Sequence, residues 1–413
     1  MARVRRRPAP ASPASSAPPV AAAHERLHET PRDTAAPEPS IVGARRPLVD
    51  TNGALAGFEF HVSPLQIQRL RKDGEHPAAR AVVSGVLAAM RLSLVPGRMA
   101  LAELPAAWVA AMTDDGDFSA GMWLIVGADA DAALIKRLWQ LGVRVGWRPA
   151  DQPAGMKPDF LLVPAAQATR PSSNWPAAPL LVLDAPDIVT MESLLHAPVA
   201  LAACNPTAAA EPAQAKALSP QVQRLMGLLA RLVRDEDHAA VVADIKADAA
   251  LALRLLTHMN TAGAAPGRVL ASIDDAVHLL GRNALYRWCS QLLVRLGPPR
   301  PAASALQSLA LSRARLFEQL ASFAGEPAPG RLYLLGLASL LPQMLDSSVA
   351  DALAGLKLPA EARLALCEGA GPWAPYLALA RALEVVDMTA AERLADDFGG
   401  LPRVLAASAR CWA

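Results

Sequence analysis

The side chains that most often bind metals or attack substrates are scattered along this sequence. Its four cysteines stand far apart and form no CxxC pair: Cys204, Cys289, Cys367 and Cys411. Three of them lie in alanine- and leucine-rich surroundings, which is typical of buried, reduced thiols. The sequence has no P-loop, GxSxG elbow or glycine-rich dinucleotide fingerprint, and no serine, cysteine or lysine stands out as an activated nucleophile. It therefore predicts neither nucleophilic catalysis nor a bound cofactor.

Histidines are the other candidate metal ligands. His258 and His278 lie among apolar residues, which favours positions in a core or groove over metal coordination. Asp237 and His238 are adjacent, and a chance neighbourhood is the preferred interpretation. We expect no metal site at these residues.

Short apolar runs alternate with helical segments between residues 47 and 203. The first two runs flank Thr51-Asn52-Gly53, and an Asn-Gly pair in that position predicts a β-hairpin. The later runs alternate with helices, which predicts βα units around a mainly parallel sheet. The segment has room for about six such strands, fewer than the eight of a complete barrel. We therefore expect a shortened α/β domain over 47–203.

The sequence changes character after residue 203. Residues 204–219 are rich in proline and alanine and predict a linker, and apolar residues then recur at helical spacing over 220–413. We expect about ten to twelve helices there. Asp248 and Ser272 are predicted to cap two of them, and Trp288 to be a buried core residue.

Residues 1–46 hold eight arginines, eight prolines and four acidic residues. This composition predicts a disordered, positively charged tail, because it cannot bury enough apolar surface to offset the entropy of ordering. The rest of the chain is close to neutral, which argues against a nucleic-acid-binding face. No apolar run reaches the roughly 20 residues of a membrane span, and the start of the chain does not read as a signal peptide. We expect a cytoplasmic protein.

The helical half resembles the HDOD domain. The residues that carry the resemblance include Asp248, Asn260, Ser272, Gly281 and Trp288. Ala249 replaces the usual proline and Thr261 the usual serine of the pattern. We interpret these matches as structural, since a helix cap at Asp248 and loop backbone contacts at Asn260 need no ligand.

HDOD domains are related in fold to the HD metal phosphohydrolases, whose His-Asp doublet holds a metal that activates water. The corresponding helix here reads LLGLASLL and places Ser339-Leu340 where the doublet would fall. A serine and a leucine cannot replace those two ligands. The resemblance therefore implies a helical domain that docks a partner protein and does not hydrolyse a substrate.

The N-terminal half resembles a degenerate EAL domain, the family of cyclic di-GMP phosphodiesterases, and this resemblance implies a shortened TIM-barrel-like fold. In VDTNGALAGFEF, Glu59 falls on the signature glutamate, a metal ligand in active members. The other positions depart from the family. RMALAEL lacks the asparagine, Gly146-Trp147-Arg148 replaces the paired aspartates, and DFLLV lacks the lysine. Asp184 and Asp187 are shorter substitutes for two glutamates.

Two-metal hydrolysis needs several convergent carboxylates, and one matched glutamate cannot supply them. We therefore interpret the chain as a non-catalytic signal-transduction protein that joins an EAL-like domain to an HDOD domain and acts on unidentified protein partners. The alternative is a cyclic di-GMP receptor or a residual cyclic di-GMP phosphodiesterase. Calorimetry with cyclic di-GMP distinguishes a receptor from a protein-docking module.

Overall fold

The computed structural model describes most of the chain from residue 45 onward. The described ranges are 45–62, 77–113, 116–153, 155–170, 172–196, 198–207, 218–234, 236–261, 272–296, 300–354, 356 and 358–412. Residues 1–44 of the predicted tail and residues 208–217 of the predicted linker lie outside them. The first strand begins at Arg45, two residues before the predicted domain boundary, and the first helix of the C-terminal half begins at Pro220.

Eight strands form a closed barrel in chain order. They are β1 (Arg45–Asp50), β2 (Leu55–Phe60), β3 (Met99–Glu103), β4 (Met122–Ile125), β5 (Arg144–Trp147), β6 (Phe160–Leu162), β7 (Leu180–Ala185) and β8 (Val199–Cys204). β1 and β2 form the predicted antiparallel hairpin. Its turn places Gly53 at a φ of 72°, a conformation that glycine adopts without strain. The strands from β2 to β8 run parallel, and β1 closes the barrel by pairing antiparallel with β8.

The expectation of about six strands in a shortened domain was wrong. The hairpin contributes two strands to the same sheet as the six strands that follow it, and the sheet closes on itself. The closing contact pairs Val49 with Ala202 and Asp50 with Leu201. Local hydrophobic patterns predict single strands, but they do not reveal that the first and last strands of the segment meet.

Five helices lie between the strands in the described part of the barrel. They are α1 (Pro77–Ser93), α2 (Ala106–Met112), α3 (Ala132–Gln140), α4 (Ala165–Ala168) and α5 (Ile188–Leu194). Side chains from alternate strand positions fill the interior of the barrel, as expected where successive residues point to opposite faces. They include Leu48, Leu101, Phe160, Leu181 and Leu201. The barrel therefore has a packed core below its rim.

Twelve helices occupy the described part of the C-terminal half, which confirms the predicted helical region. They are α6 (Pro220–Val233), α7 (His238–Lys246), α8 (Ala249–Thr261), α9 (Ile273–Arg295), α10 (Ala303–Phe323), α11 (Pro329–Ala338), α12 (Leu341–Leu345), α13 (Val349–Ala354), α14 (Ala360–Glu368), α15 (Ala374–Glu384), α16 (Met388–Ala395) and α17 (Leu401–Cys411). Of the described helices, none has both the length and the apolar character needed to cross a membrane.

Helix α10 packs on the outer face of the β1–β2 hairpin. A hairpin connects its strands without the crossover helix that parallel strands require, so this face receives no cover from its own connection. Leu306, Leu309 and Ala310 of α10 share one buried apolar cluster with Phe58 and Phe60 of β2. The helical half therefore completes the outer layer of the barrel, and both halves belong to one compact unit.

Polar and aromatic contacts join the same two halves. The carboxylate of Glu192 on α5 accepts two hydrogen bonds from the guanidinium of Arg300, at 2.8 and 2.7 Å. It accepts a third from the backbone amide of Ala302 at 2.9 Å. The ring of Trp412 meets the ring of Phe58 edge-on, with 4.9 Å between their centroids. These contacts fix the loop before α10 and the end of α17 against the barrel.

Trp288 is half-buried, which corrects the prediction that it lies in the core. The buried stripe of α9 runs through Leu285, Cys289 and Leu293. Trp288 precedes Cys289 by one position, which turns its side chain by about 100° around the helix to the edge of that stripe. There its ring stacks on His258, with 6.0 Å between centroids.

Candidate functional site at the barrel mouth

A cavity of about 750 Å³ opens at the carboxyl ends of the parallel strands. Strand ends on this side of an α/β barrel face a common opening, where functional groups collect. Because β1 runs antiparallel, its first residues lie at the same rim. The polar and charged side chains of the lining are Arg46, Glu59, His61, Glu103, Arg148, Gln167 and Asp184. We call this region the barrel mouth.

Glu59, the residue matched to the EAL signature, is paired with Arg46 in the wall of the barrel mouth. Nε of Arg46 donates a hydrogen bond to Oε2 of Glu59 at 2.6 Å, and its Nη2 lies 2.5 Å from the same oxygen. The hairpin register produces this pair, because the two residues lie directly opposite each other. Nδ1 of His61 lies 3.5 Å from Oε1. Both oxygens of the carboxylate therefore have protein partners.

The environment of Glu59 keeps its carboxyl group ionised. Burial raises the pKa of Glu59, but the hydrogen bond with His61 and the charge and hydrogen bond of Arg46 outweigh burial, so the pKa lies below its usual value. The neutralising charge comes from a guanidinium, which stays protonated at any physiological pH. In active members of the resembled family, that positive charge would come from a metal ion.

A second arginine–glutamate pair lies beside the first. The carboxylate of Glu103, at the end of β3, accepts hydrogen bonds from Nη1 and Nη2 of Arg148 at 2.9 and 2.7 Å. This two-point geometry is the strong form of the arginine–carboxylate contact. The hydrogen bond with Glu103 raises the pKa of Arg148 against the effect of burial, and the charges of Asp151 and Glu59 add to it. Arg148 therefore lies in the field of both glutamates.

From the sequence, Arg148 was expected only as a departure from the family pattern, and neither Arg46 nor Glu103 was predicted at the site. The alternation of inward- and outward-facing residues along β1 and β3 indicates the positions of Arg46 and Glu103. Glu103 lies two positions after the inward-facing Leu101, and Arg46 two positions before the inward-facing Leu48. A charged residue that continues an inward-facing row at the rim points into the opening of the barrel.

The two aspartates considered as substitute ligands are engaged by backbone amides. Oδ1 of Asp184 accepts a hydrogen bond from the amide of Ala165 at 2.8 Å, and Oδ1 of Asp187 caps α5 by accepting from the amide of Thr190 at 2.7 Å. Across the described residues, no group of three histidine, cysteine or carboxylate side chains converges as a metal centre requires. With both glutamates paired to arginines, the donor set of the barrel mouth does not fit a two-metal centre.

In the helical half, the position matched to the His-Asp doublet belongs to a buried ion-pair network. Oγ of Ser339 accepts a hydrogen bond from Nη1 of Arg313 at 2.7 Å and donates one to the carbonyl of Gly336 at 2.7 Å. Nε and Nη2 of Arg313 also donate to the carboxylate of Glu384 at 2.5 to 3.1 Å. Arg313 is 3% exposed and Glu384 9%. Ser339 thus orients a buried guanidinium.

The three histidines considered as candidate ligands occupy exposed or partly buried positions. His238 and His278 face each other across a pocket of about 190 Å³, with 6.2 Å between their ring centroids. Both are exposed, so His278 lines a groove and is not part of the core. His258 is half-buried against Trp288.

The other residues matched to HDOD serve the helices locally. Asp248 caps α8 by accepting two backbone hydrogen bonds at 3.1 Å, and Ser272 caps α9 by accepting one at 3.4 Å. Gly281 has a φ of 73° and breaks α9 at that point. Asn260 lies in the last turn of α8 and is exposed, and the loop that follows it lies outside the described residues.

Comparison with known proteins gives distant relatives. No family model matches the chain. Over 162 residues it is 27% identical to the uncharacterized protein YuxH of Bacillus subtilis, which covers 38% of this chain and 39% of that protein. Over 179 residues it is 27% identical to the cyclic di-GMP phosphodiesterase CdgJ of Vibrio cholerae, a match that covers 43% of this chain and 41% of that protein. The chain is distantly similar to a cyclic di-GMP phosphodiesterase.

The matched region spans about two fifths of the length of these curated relatives, 39% of one and 41% of the other. Among solved structures, an EAL domain protein from Listeria monocytogenes superimposes with a TM-score of 0.31 at 10% identity. That match covers 40% of this chain and 86% of the other.

Proposed function

We propose that this chain is a cytoplasmic signal-transduction protein that does not hydrolyse cyclic di-GMP and acts by binding other proteins. Its barrel is the EAL-like part, and its helical half is an HDOD-type module that docks a partner. The observation that carries the proposal is the pairing of Glu59 with Arg46 and of Glu103 with Arg148 at the barrel mouth.

An arginine can balance the charge of a carboxylate, but it cannot perform the chemistry of a divalent cation. A metal ion lowers the pKa of its bound water to near neutrality and so produces a hydroxide nucleophile. A guanidinium has no ligand positions for water and does not release its own proton. The barrel mouth can hold an anionic or polar ligand, but its paired arginines do not activate water.

The helical half supports the same proposal through a similar arrangement. Where the resemblance would put the metal-binding doublet, Ser339 accepts a hydrogen bond from Arg313, which is itself paired with Glu384. The buried charge of this half is therefore satisfied within the protein. A partner would then recognise the surface of the helices and not a catalytic centre.

A receptor for cyclic di-GMP is the second candidate function, and the cavity favours it. A volume of about 750 Å³ lies within the range of small-molecule sites. Two guanidinium groups and Trp175 line it, and such groups can contact phosphates and stack on bases. In a receptor the paired arginines would hold the ligand without turning it over.

Turnover and binding of cyclic di-GMP separate these functions. We expect no measurable hydrolysis by the full chain with Mg²⁺ or Mn²⁺, because the carboxylates that would bind the cations are occupied by arginines. Turnover that disappears in Glu59→Ala would show that the site is catalytic. In calorimetry, a micromolar or tighter dissociation constant that weakens at least tenfold in Arg148→Ala would establish the receptor.

Partner docking by the helical half is tested by a pull-down from the native organism with the full chain as bait. Leu253 on α8 is 66% exposed, so Leu253→Glu changes the helical surface without disturbing the core. We expect a specific partner that wild type retains and Leu253→Glu or a similar surface variant loses. Capture that depends on barrel variants alone would instead place the docking surface on the barrel.

A further inference from the structure

Strand β1 presents neighbouring residues to two different places in the molecule. Successive side chains of a strand point to opposite faces. Arg46 therefore points into the barrel mouth, where it binds Glu59, and Arg45 points outward, where its guanidinium lies 5.0 Å from the centroid of the Phe60 ring. On that outer side, β1 packs against helices of the C-terminal half.

A small cavity of about 30 Å³ adjoins Arg45 at this junction. It is lined from α10 by Ser312 and Arg313, from α15 by Glu384 and from the end of the chain by Trp412. Space of this size is enough for one water molecule. The contact between β1 and the helices therefore has room for a small displacement of the Arg45 side chain.

Charge is unevenly distributed around this cavity. Two guanidinium groups, those of Arg45 and Arg313, share the lining with a single carboxylate, that of Glu384. Glu384 is bound to Arg313. Arg45 has no carboxylate partner among the described residues, and burial lowers its pKa to about 10. A partly buried charge without a carboxylate partner makes the packing at this point sensitive to the position of β1.

We propose that β1 couples the barrel mouth to the helical half. A change in the Arg46–Glu59 pair moves the start of β1, the adjacent Arg45 moves with it, and the Arg313–Glu384–Ser339 network responds. This inference holds whichever ligand enters the barrel mouth, and it does not depend on the absence of hydrolysis. Through β1, a change at the barrel mouth reaches α11, α12 and α15.

Hydrogen exchange of the full chain, measured by mass spectrometry, tests the coupling with two matched variants. Arg46→Ala and Arg148→Ala each remove one arginine from a glutamate at the barrel mouth, but Arg46 lies on β1 and Arg148 follows β5, on the opposite side of the barrel. We expect exchange in α15 and in α11–α12 to rise by about threefold to tenfold in Arg46→Ala, which lies within the roughly twofold to thirtyfold range of coupling between sites. In Arg148→Ala we expect these helices to keep the wild-type rates.

Two results would overturn the proposal. If hydrogen exchange in the helices accelerates equally in both variants, the substitutions loosen the fold in general. If Arg46→Ala alters exchange at the barrel mouth but leaves the exchange rates of the helices unchanged, β1 does not couple the two regions. If Arg46→Ala does not fold, Glu59→Gln weakens the same pair from β2 and takes its place in the comparison. Arg45→Met should abolish the response of the helices to Arg46→Ala while leaving the response at the barrel mouth.

Discussion

The buried Arg313–Glu384 pair gives a quantitative test of how the helical half is held together. The side chain of Arg313 donates four hydrogen bonds, three to the carboxylate of Glu384 and one to Ser339. Arg313→Met keeps much of the apolar volume but removes all four. Glu384, which is only 9% exposed, then loses the cation to which it is hydrogen-bonded.

Breaking a buried pair from one side costs about 3–5 kcal/mol. A domain of this kind has a total unfolding free energy of only about 5–15 kcal/mol, so Arg313→Met removes a large share of it. With a urea dependence of about 3 kcal/mol per molar, the unfolding midpoint falls by about 1 M or more. Equilibrium urea unfolding followed by circular dichroism measures this shift.

The matched control removes both charges at once. Arg313→Met combined with Glu384→Leu leaves no buried charge, and Ser339 still donates to the carbonyl of Gly336. We expect this double variant to recover most of the lost stability, because apolar replacement of both partners is often neutral or stabilising. This role of the ion pair is contradicted if the single variant unfolds within about 0.3 M of wild type, or if the double variant is as unstable as the single one.

Further predictions concern the half-buried tryptophan, the Arg46–Glu59 ion pair at the barrel mouth and the isolated helical half. Trp288→Ala should cost about 1–2 kcal/mol in the same urea assay, less than the roughly 3–5 kcal/mol of a fully buried tryptophan, and a larger cost would place it in the core. Because the pKa of Glu59 is lower in the folded than in the unfolded chain, its ion pair stabilises the fold at pH values above the unfolded-state pKa of about 4.3. This stability is lost as the pH falls through the folded-state pKa. The difference in urea midpoint between wild type and Glu59→Gln should therefore narrow as pH is lowered from 6 towards 3. The fragment 215–413 should give a helical circular dichroism spectrum but melt below the full chain, since α10 loses the apolar contacts of the β1–β2 hairpin; an unfolded or strand-rich spectrum contradicts the predicted all-helical unit.

Local sequence patterns were sufficient for the elements whose formation depends on neighbouring residues. The Asn52-Gly53 pair predicted the hairpin, and Asp248 and Ser272 predicted helix starts, because turn and cap preferences act over a few positions. The burial of Trp288 was predicted wrongly because it depends on more than these local preferences. Its apolar character was visible, but the direction of its side chain depends on which neighbouring residue of α9 faces the core.

Features that depend on distant contacts were not visible in this way. Barrel closure joins β1 to β8, and the charge pairs join residues 45 positions apart in Glu103–Arg148 and 71 apart in Arg313–Glu384. A single sequence does not indicate which glutamate meets which arginine. The positions of Arg46 and Glu103 in inward-facing rows indicate that both enter the barrel mouth, but not which partner each one binds.

The Glu103–Arg148 pair also predicts how the fold responds to a carboxylate at position 148. Arg148→Asp, a change towards the aspartates of the resembled family, would put a carboxylate next to Glu103 and in the field of Glu59. Without a cation, like charges in a partly buried site repel each other and raise one another's pKa. The single variant should therefore lose stability at neutral pH and recover part of it as pH falls, the reverse of the dependence expected from Glu59 in wild type. Urea unfolding of Arg148→Asp at two pH values, with Arg148→Asn as the uncharged control, measures this reversal. If Arg148→Asp and Arg148→Asn lose the same stability at both pH values, the guanidinium at this position does not stand in for a metal charge.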